Sequence, residues 1–237
     1  MALIDIRDDR GVRVVHLVDS AGGNALDHAM VEALRDACAI DDEVRVIVLR
    51  GLTGVFSRGA SDDVLRDLVG GVTKPSELNL PRALLGVEVP LIAAMEGHAI
   101  GGGLILGLCA DIVLIARESR YGTTFVNHGF TPGMGATRLL ERVMSPVMAH
   151  EMLLTGEPRR GVDLVAHGFN YVLPRSEAWP RAREIALRLA DQPRTPLTLL
   201  KRELSRPWLA AFDDAHRVET EMHAVCFAPS PGAPRAQ

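Results

Sequence analysis

Apolar and polar residues alternate through LIDIRDDRGVRVVHLVD, and the alternation is interrupted at Asp8-Asp9-Arg10-Gly11. Period-two patterning on both sides of a turn-forming tetrad predicts a β-hairpin. Asp27 precedes Met30, Ala33, Leu34 and Ala37, which share one helical face, so an N-capped helix is predicted to about Ile40. VRVIVLRG (Val44–Gly51) is a short β-branched run that reads as a buried strand. TGVFSRGASDDVLRDLVGG then predicts a loop at Gly59 and a helix from near Ser61. Gly70 to Ser76 is punctuated by Gly and Pro and reads as a mobile loop. VPLIAAMEG is a second buried strand running into GHAIGGG, LILGLCA continues as a helix, and DIVLIARES is a third strand.

From Met134 the pattern turns helical. MGATRLLERVM, SPVMAHEMLLTG, RGVDLVAHG, RAREIALRLADQ, PLTLLKRELS and AFDDAHRVETEMHAVC each predict a helix, with one strand at FNYVL. Strands alternating with helices indicate an α/β protein whose functional loops lie at strand ends. The predicted organisation is an α/β core over residues 1–190, a helical extension over 191–227 and a flexible tail over 228–237.

Composition narrows the function classes. The 237 residues are 47% hydrophobic and 24% charged, with a net charge of −4 and no basic block. Nucleic acid and anionic membrane are therefore not expected partners. Cys38, Cys109 and Cys226 lack metal-ligand or redox spacing and read as buried free thiols in a reducing cytoplasm. MALIDIRDD does not read as a signal peptide, and no apolar run reaches the roughly 18 residues that span a membrane.

The chemistry concentrates at two glycine turns. Three consecutive glycines, Gly101-Gly102-Gly103, stand between a strand and a helix, where backbone N–H groups meet the positive end of the helix dipole. The spacing does not fit a dinucleotide fingerprint. FSRGASD (Phe56–Asp62) is a second strand–glycine–helix turn. Either turn alone is as well explained by a tight connection, but one N–H from each would grip a carbonyl oxygen from two sides, as an oxyanion hole does.

FSRGASD, PLIAAMEGHAIGGGLILGLCADIVLIA and GFTPGMGATRLL, in this order and spacing, resemble the crotonase (enoyl-CoA hydratase/isomerase) superfamily over nearly the whole chain. The resemblance implies a spiral of β-β-α units, a C-terminal trimerisation or lid region, and a homotrimer or dimer of trimers. It also implies an acyl thioester substrate and oxyanion donors at Ala60 and Gly102, with Gly101 beside them. The chain departs from the hydratase pattern at both catalytic glutamates, where it carries Ile105 and Phe125. Without those carboxylates to activate water, ordinary hydration is not expected.

A narrower resemblance agrees. ARESRYGTTFVNHGFTPGMGATRLL, preceded by GGVTKPSELNL, is similar to the second enoyl-CoA-hydratase-like enzymes of polyketide β-branching cassettes. These decarboxylate 3-methylglutaconyl groups on an acyl carrier protein. The resemblance implies no cofactor beyond the phosphopantetheine of the carrier protein or of CoA. It puts the family's lysine at Lys74, to pair with the departing carboxylate or protonate the dienolate, and its histidine at His223, to donate the product proton; a solvated loop lysine and a helix-surface or interface histidine are the competing readings. A tyrosine that some relatives carry near the lysine is absent, since the only tyrosines are Tyr121 and Tyr171. Phe125, Ile105, His128, Gly101 and Arg58 are expected to line the substrate site, Arg58 near a pantetheine phosphate although a solvent-facing arginine is its ordinary reading. His98 and His128 each read first as structural histidines, His128 being the better second choice for the site, and Lys201 and Arg202 read as surface contacts for a carrier protein. The competing readings are an isomerase or dehydratase with His128 or His223 as base, and a non-catalytic thioester-binding homologue.

Overall fold

In the computed structural model, which describes residues 2–69 and 79–227, the N-terminal alternation folds into the expected hairpin. β1 (Ile4–Asp9) pairs antiparallel with β2 (Val12–Leu17), in a register that sets Asp9 opposite Val12. β3 (Ala25–Leu26) leads into α1 (His28–Cys38), whose N-cap Asp27 accepts from Met30 N at 2.8 Å. There follow β4 (Val46–Arg50), β5 (Val55–Ser57), β6 (Gly59–Ala60), α2 (Asp62–Val69), α3 (Leu80–Leu85), β7 (Leu91–Met95), β8 (His98–Ile100) and α4 (Gly102–Leu108). β9 (Ile112–Ala116), β10 (Arg120–Gly122), a 3-10 turn at Phe125–His128 and α5 (Ala136–Val143) repeat the same sequence of elements. α6 (Pro146–Thr155), β11 (Arg159–Arg160), β12 (Tyr171–Leu173), α7 (Arg175–Ala190) and α8 (Arg194–Cys226) complete the described chain.

The repeat is spatial. β4, β7 and β9 enter a six-stranded sheet in the order β1-β2-β4-β7-β9-β12, and the strands that follow them, β5, β8 and β10, enter a second sheet in the order β11-β10-β8-β5. Each turn of the chain thus lays one strand in each sheet before a helix returns it. This is the expected spiral of β-β-α units, with parallel pairing throughout its central strands.

Strand alternation divides the interior. Val46 and Val48 of β4 and Ile92 and Ala94 of β7 face α7, against Ala182, Ile185, Ala186 and Ala190. Ile47, Leu49, Leu91, Ala93 and Met95 face the larger core with α1, α3, α4 and α5. A sheet buried on both faces explains why its strands read as continuous apolar runs.

Several expectations change. RGVDLVAHG is not a helix but a 3-10 turn at Gly161–Leu164, because Gly161 N donates to Ser119 O at 2.8 Å and Val162 N to Arg117 O at 3.1 Å. The two last predicted helices are one helix of 33 residues with Pro207 inside it. Its buried stripe of Lys201, Ser205, Phe212, Ala215, Glu219 and His223 keeps helical phase across the proline, so packing overrides the missing N–H. Lys201 is not a surface residue: its Nζ lies 2.8 Å from Asp111, which Arg142 also approaches at 3.2 Å. Arg142 in turn donates to the carbonyls of Leu108 and Cys109 at the end of α4. Cys38 and Cys109 are buried, whereas Cys226 is exposed. The predicted mobile loop and flexible tail fall outside the described residues. Among those described, no helix is long and apolar enough to cross a membrane.

Candidate active site

The two glycine turns meet. β5 and β8 are neighbours in the second sheet, and β6 runs from β5 past the start of α4. A Cβ on Gly59 would lie 2.6 Å from the Ile100 carbonyl oxygen and 3.2 Å from Gly102 N. The glycines of the triplet answer to different constraints. Gly101 holds φ +55 and ψ −127, a conformation open mainly to glycine. Gly103 packs on the backbone of Ser57, where a Cβ would collide with the carbonyl oxygen. At Gly102 the neighbour is the Met134 sulfur, 2.7 Å from an added Cβ.

The first turn is tied from beneath. Asn24, fully buried with φ +54, donates through Nδ2 to the Phe56 carbonyl at 3.0 Å and, at 3.3 Å, to those of Leu17 and Val55. Ser57 Oγ donates to Asn24 O at 2.7 Å and accepts from Gly59 N at 3.2 Å. The second turn is anchored by Gly101 N donating to Gly122 O at 2.8 Å. Gly102 opens α4, and among the described residues its N–H has no backbone acceptor, as the first turn of a helix leaves it.

These turns form one wall of a cleft of about 720 Å³, including its open mouth. Gly59, Ala60, Gly101 and Gly102 line it with Leu26, Leu65 and Leu68. Phe125, Phe130, Met134 and Phe227 complete the apolar lining. Phe130 is the hub of the aromatic wall: its ring centroid is 6.1 Å from those of Phe125 and His128, 5.7 Å from Phe227 and 6.4 Å from His223. No Asp or Glu lines the cleft among the described residues; its ionisable lining is Arg58, His128 and His223.

His223 is buried on α8, and its Nε2 lies 2.7 Å from the Thr131 carbonyl. A carbonyl only accepts, so Nε2 carries the hydrogen, and Nδ1 is buried with no hydrogen-bond partner among the described residues. Burial pushes the imidazole below its ordinary pKa, which favours the neutral ring. His128 is exposed at the mouth. Arg58 is also at the mouth and pairs with Asp62 at 3.0 Å.

The structure thus brings Arg58, Ala60, Gly101, Gly102, Phe125, His128 and His223 to one cleft. Ile105 does not belong there: it is fully buried in the core inside α4. Lys74 lies outside the described residues. His98 is structural as read, its Nδ1 accepting from Arg120 N at 2.8 Å. Sequence reasoning missed Met134, Phe130 and Phe227, although two of them flank the TPG motif. It also missed Glu219, whose signal was its position one helical turn before His223.

A model describing the enoyl-CoA hydratase/isomerase family matches residues 7–230. The bacillaene synthase decarboxylase PksI of Bacillus subtilis is 36% identical over 217 residues, covering 90% of this chain and 87% of that protein. A solved structure of a dehydratase/decarboxylase enzyme couple involved in polyketide β-branching superposes with a TM-score of 0.92 at 34% identity, covering 95% of this chain and 94% of the other. The ECH2 decarboxylase domain of CurF from Lyngbya majuscula gives a TM-score of 0.90 at 34% identity, covering 97% and 96%.

Proposed function

We propose that this chain, which belongs to the enoyl-CoA hydratase/isomerase family, is a decarboxylase converting a 3-methylglutaconyl thioester to a 3-methylcrotonyl thioester. The observation that carries the reading is the cleft itself: two glycine turns meet at Gly59 and Gly102 in a wall with no carboxylate among the described residues. Hydration needs a group that activates water, and the positions that would supply it hold a core Ile105 and a wall-forming Phe125. Decarboxylation needs an electron sink and one proton, and the substrate's own thioester is the sink. No further cofactor is required.

In the proposed reaction the thioester oxygen accepts from Ala60 N–H and Gly102 N–H, at the start of α4. The bond between the distal carboxylate and the γ carbon breaks, and its electron pair passes through the conjugated double bond to that oxygen. Carbon dioxide leaves, and the dienolate takes a proton at the γ carbon. The apolar wall of Phe125, Phe130 and Phe227 disfavours the localised carboxylate more than the dispersed dienolate. His223 holds its Nε2 hydrogen on Thr131 and in this reading shapes the pocket, while the lysine that the resemblance puts at Lys74 supplies the proton.

We further propose that an acyl carrier protein delivers the substrate and that Arg58, at the mouth, receives the pantetheine phosphate. A homotrimer in the cytoplasm completes the reading; the exposed Leu199, Leu200 and Leu204 on α8 support an interface between copies. The reading is tested by offering the enzyme a 3-methylglutaconyl thioester beside a crotonyl thioester in isotope-labelled water. Carbon dioxide released from the first, with no label added to the second, is expected. Hydration of the second without decarboxylation of the first overturns the reading.

A further inference from the structure

Behind the cleft lies a carboxylate that touches neither the cleft nor bulk solvent. Glu219 is 1% exposed and sits on α8 one turn before His223. Its Oε2 accepts from Gly135 N at 2.7 Å, and its Oε1 accepts from Thr137 N at 2.9 Å and Thr137 Oγ1 at 2.8 Å. All three partners are donors. A glutamine would bring one acceptor oxygen and turn its NH₂ toward another donor, and an aspartate would fall one methylene short.

The gripped loop shapes the reaction space. Met134 and Gly135 take φ +63 and +75, and Met134 has a side chain that disfavours this region. In this conformation the Met134 thioether lies over Gly102, and Gly133 backs onto His223, whose Cε1 would be 3.1 Å from an added Cβ. The loop therefore touches both the Gly102 donor turn and the imidazole, and α8 holds it through Glu219.

We infer that Glu219 is a positioning residue for the proposed decarboxylation, clamping residues 133–137 so that Met134 sits over Gly102 and Gly133 against His223. The inference rests on the reaction assigned above, but its geometry does not. The clamp acts on the shape of the site when the dienolate forms, so its loss is expected in kcat more than in KM. Misplacement of a supporting wall by even a fraction of an ångström costs rate steeply.

The test compares Glu219→Gln and Thr137→Val with the native protein. Thr137→Val removes only the hydroxyl donor. Folding is checked by thermal unfolding, kcat and KM by decarboxylation of the 3-methylglutaconyl carrier protein. The clamp is also read by the His223 ring resonances, which need no turnover. Glu219→Gln is expected to lower kcat about tenfold or more with KM changed less than about threefold, and to shift the His223 resonances. Thr137→Val is expected to move both readouts in the same direction by less. A folded Glu219→Gln with kcat within about twofold of native and unmoved His223 resonances overturns the inference. If Glu219→Gln does not fold, the same criterion applies to Thr137→Val. If the native protein does not decarboxylate, the assigned reaction falls, and the clamp is then decided by the His223 resonances, which overturn it if they do not move in the folded Glu219→Gln variant.

Discussion

Gly59 and Gly102, 43 positions apart in the chain, are pressed together so closely that a Cβ on the first would lie 3.2 Å from the backbone nitrogen of the second. The same Cβ would lie 2.6 Å from the Ile100 carbonyl oxygen, and Gly59 already holds φ +85. Gly59→Ala must therefore separate the turns. Loss of one aligned donor in an oxyanion hole costs roughly a hundredfold to a thousandfold in kcat. We expect that loss in steady-state decarboxylation, with circular dichroism unchanged.

The vacant hydratase positions are not equivalent. Ile105 is fully buried, so Ile105→Glu places in an apolar core a carboxyl group that must be protonated there, and it is expected to cost at least the roughly 2–7 kcal/mol of a buried neutral polar group. Phe125 is half-buried on the cleft wall, where a carboxylate can stay hydrated, so Phe125→Glu should cost far less. Urea denaturation of the two variants measures the difference. Equal losses would contradict the placement of Ile105.

Lys201, Asp111 and Arg142 form a largely buried junction between α8, the start of β9 and α5. Asp111→Ala leaves the Lys201 ammonium, which is 4% exposed, without its carboxylate. Removal of one partner from a buried pair costs roughly 3–5 kcal/mol. The midpoint of denaturant unfolding is expected to fall accordingly, and an unchanged midpoint would show that Lys201 reaches solvent.

Much of this was legible in the sequence for a physical reason: turns and buried strands are specified locally. The N-terminal hairpin, the Asp27 cap, the strands at β4, β7 and β9 and the two glycine turns each depend on residues close in the chain. The triplet read as a strand running straight into a helix, yet β8 intervenes at His98–Ile100, too short to mark itself by periodicity. PLTLLKRELS and AFDDAHRVETEMHAVC read as two helices because local propensity cannot register a buried stripe that passes through Pro207 in phase. Lys201 read as exposed because its partner Asp111 lies 90 positions away in the chain. The same distance hid Glu219, whose partners Gly135 and Thr137 are more than eighty residues upstream. The cleft's aromatic wall likewise joins Phe130 to Phe227 across a length of chain that no motif spans.

Burial lowers the pKa of His16, His98 and His223 below the ordinary imidazole value near 6.5. In the window between their folded and unfolded values the unfolded chain binds more protons, so stability rises with pH. The stability is fully present above about pH 6.5 and is lost as pH falls toward the folded values. Unfolding free energy is expected to be lower at about pH 5.5 than at about pH 7.5, and His223→Gln is expected to reduce that slope. A slope unchanged by His223→Gln would mean that the ring is already as easily protonated in the folded protein as in the unfolded chain.

The central claim is that the paired glycine turns serve decarboxylation. Intact-mass spectrometry of a 3-methylglutaconyl acyl carrier protein, incubated with the native enzyme and separately with Lys74→Ala, tests it most directly. The account predicts that the native enzyme removes one carbon dioxide from the carrier-bound acyl group and leaves the thioester intact, with the variant much slower. An acyl carrier protein of unchanged mass beside native enzyme would contradict the decarboxylase assignment, and full activity in Lys74→Ala would remove the lysine from the mechanism.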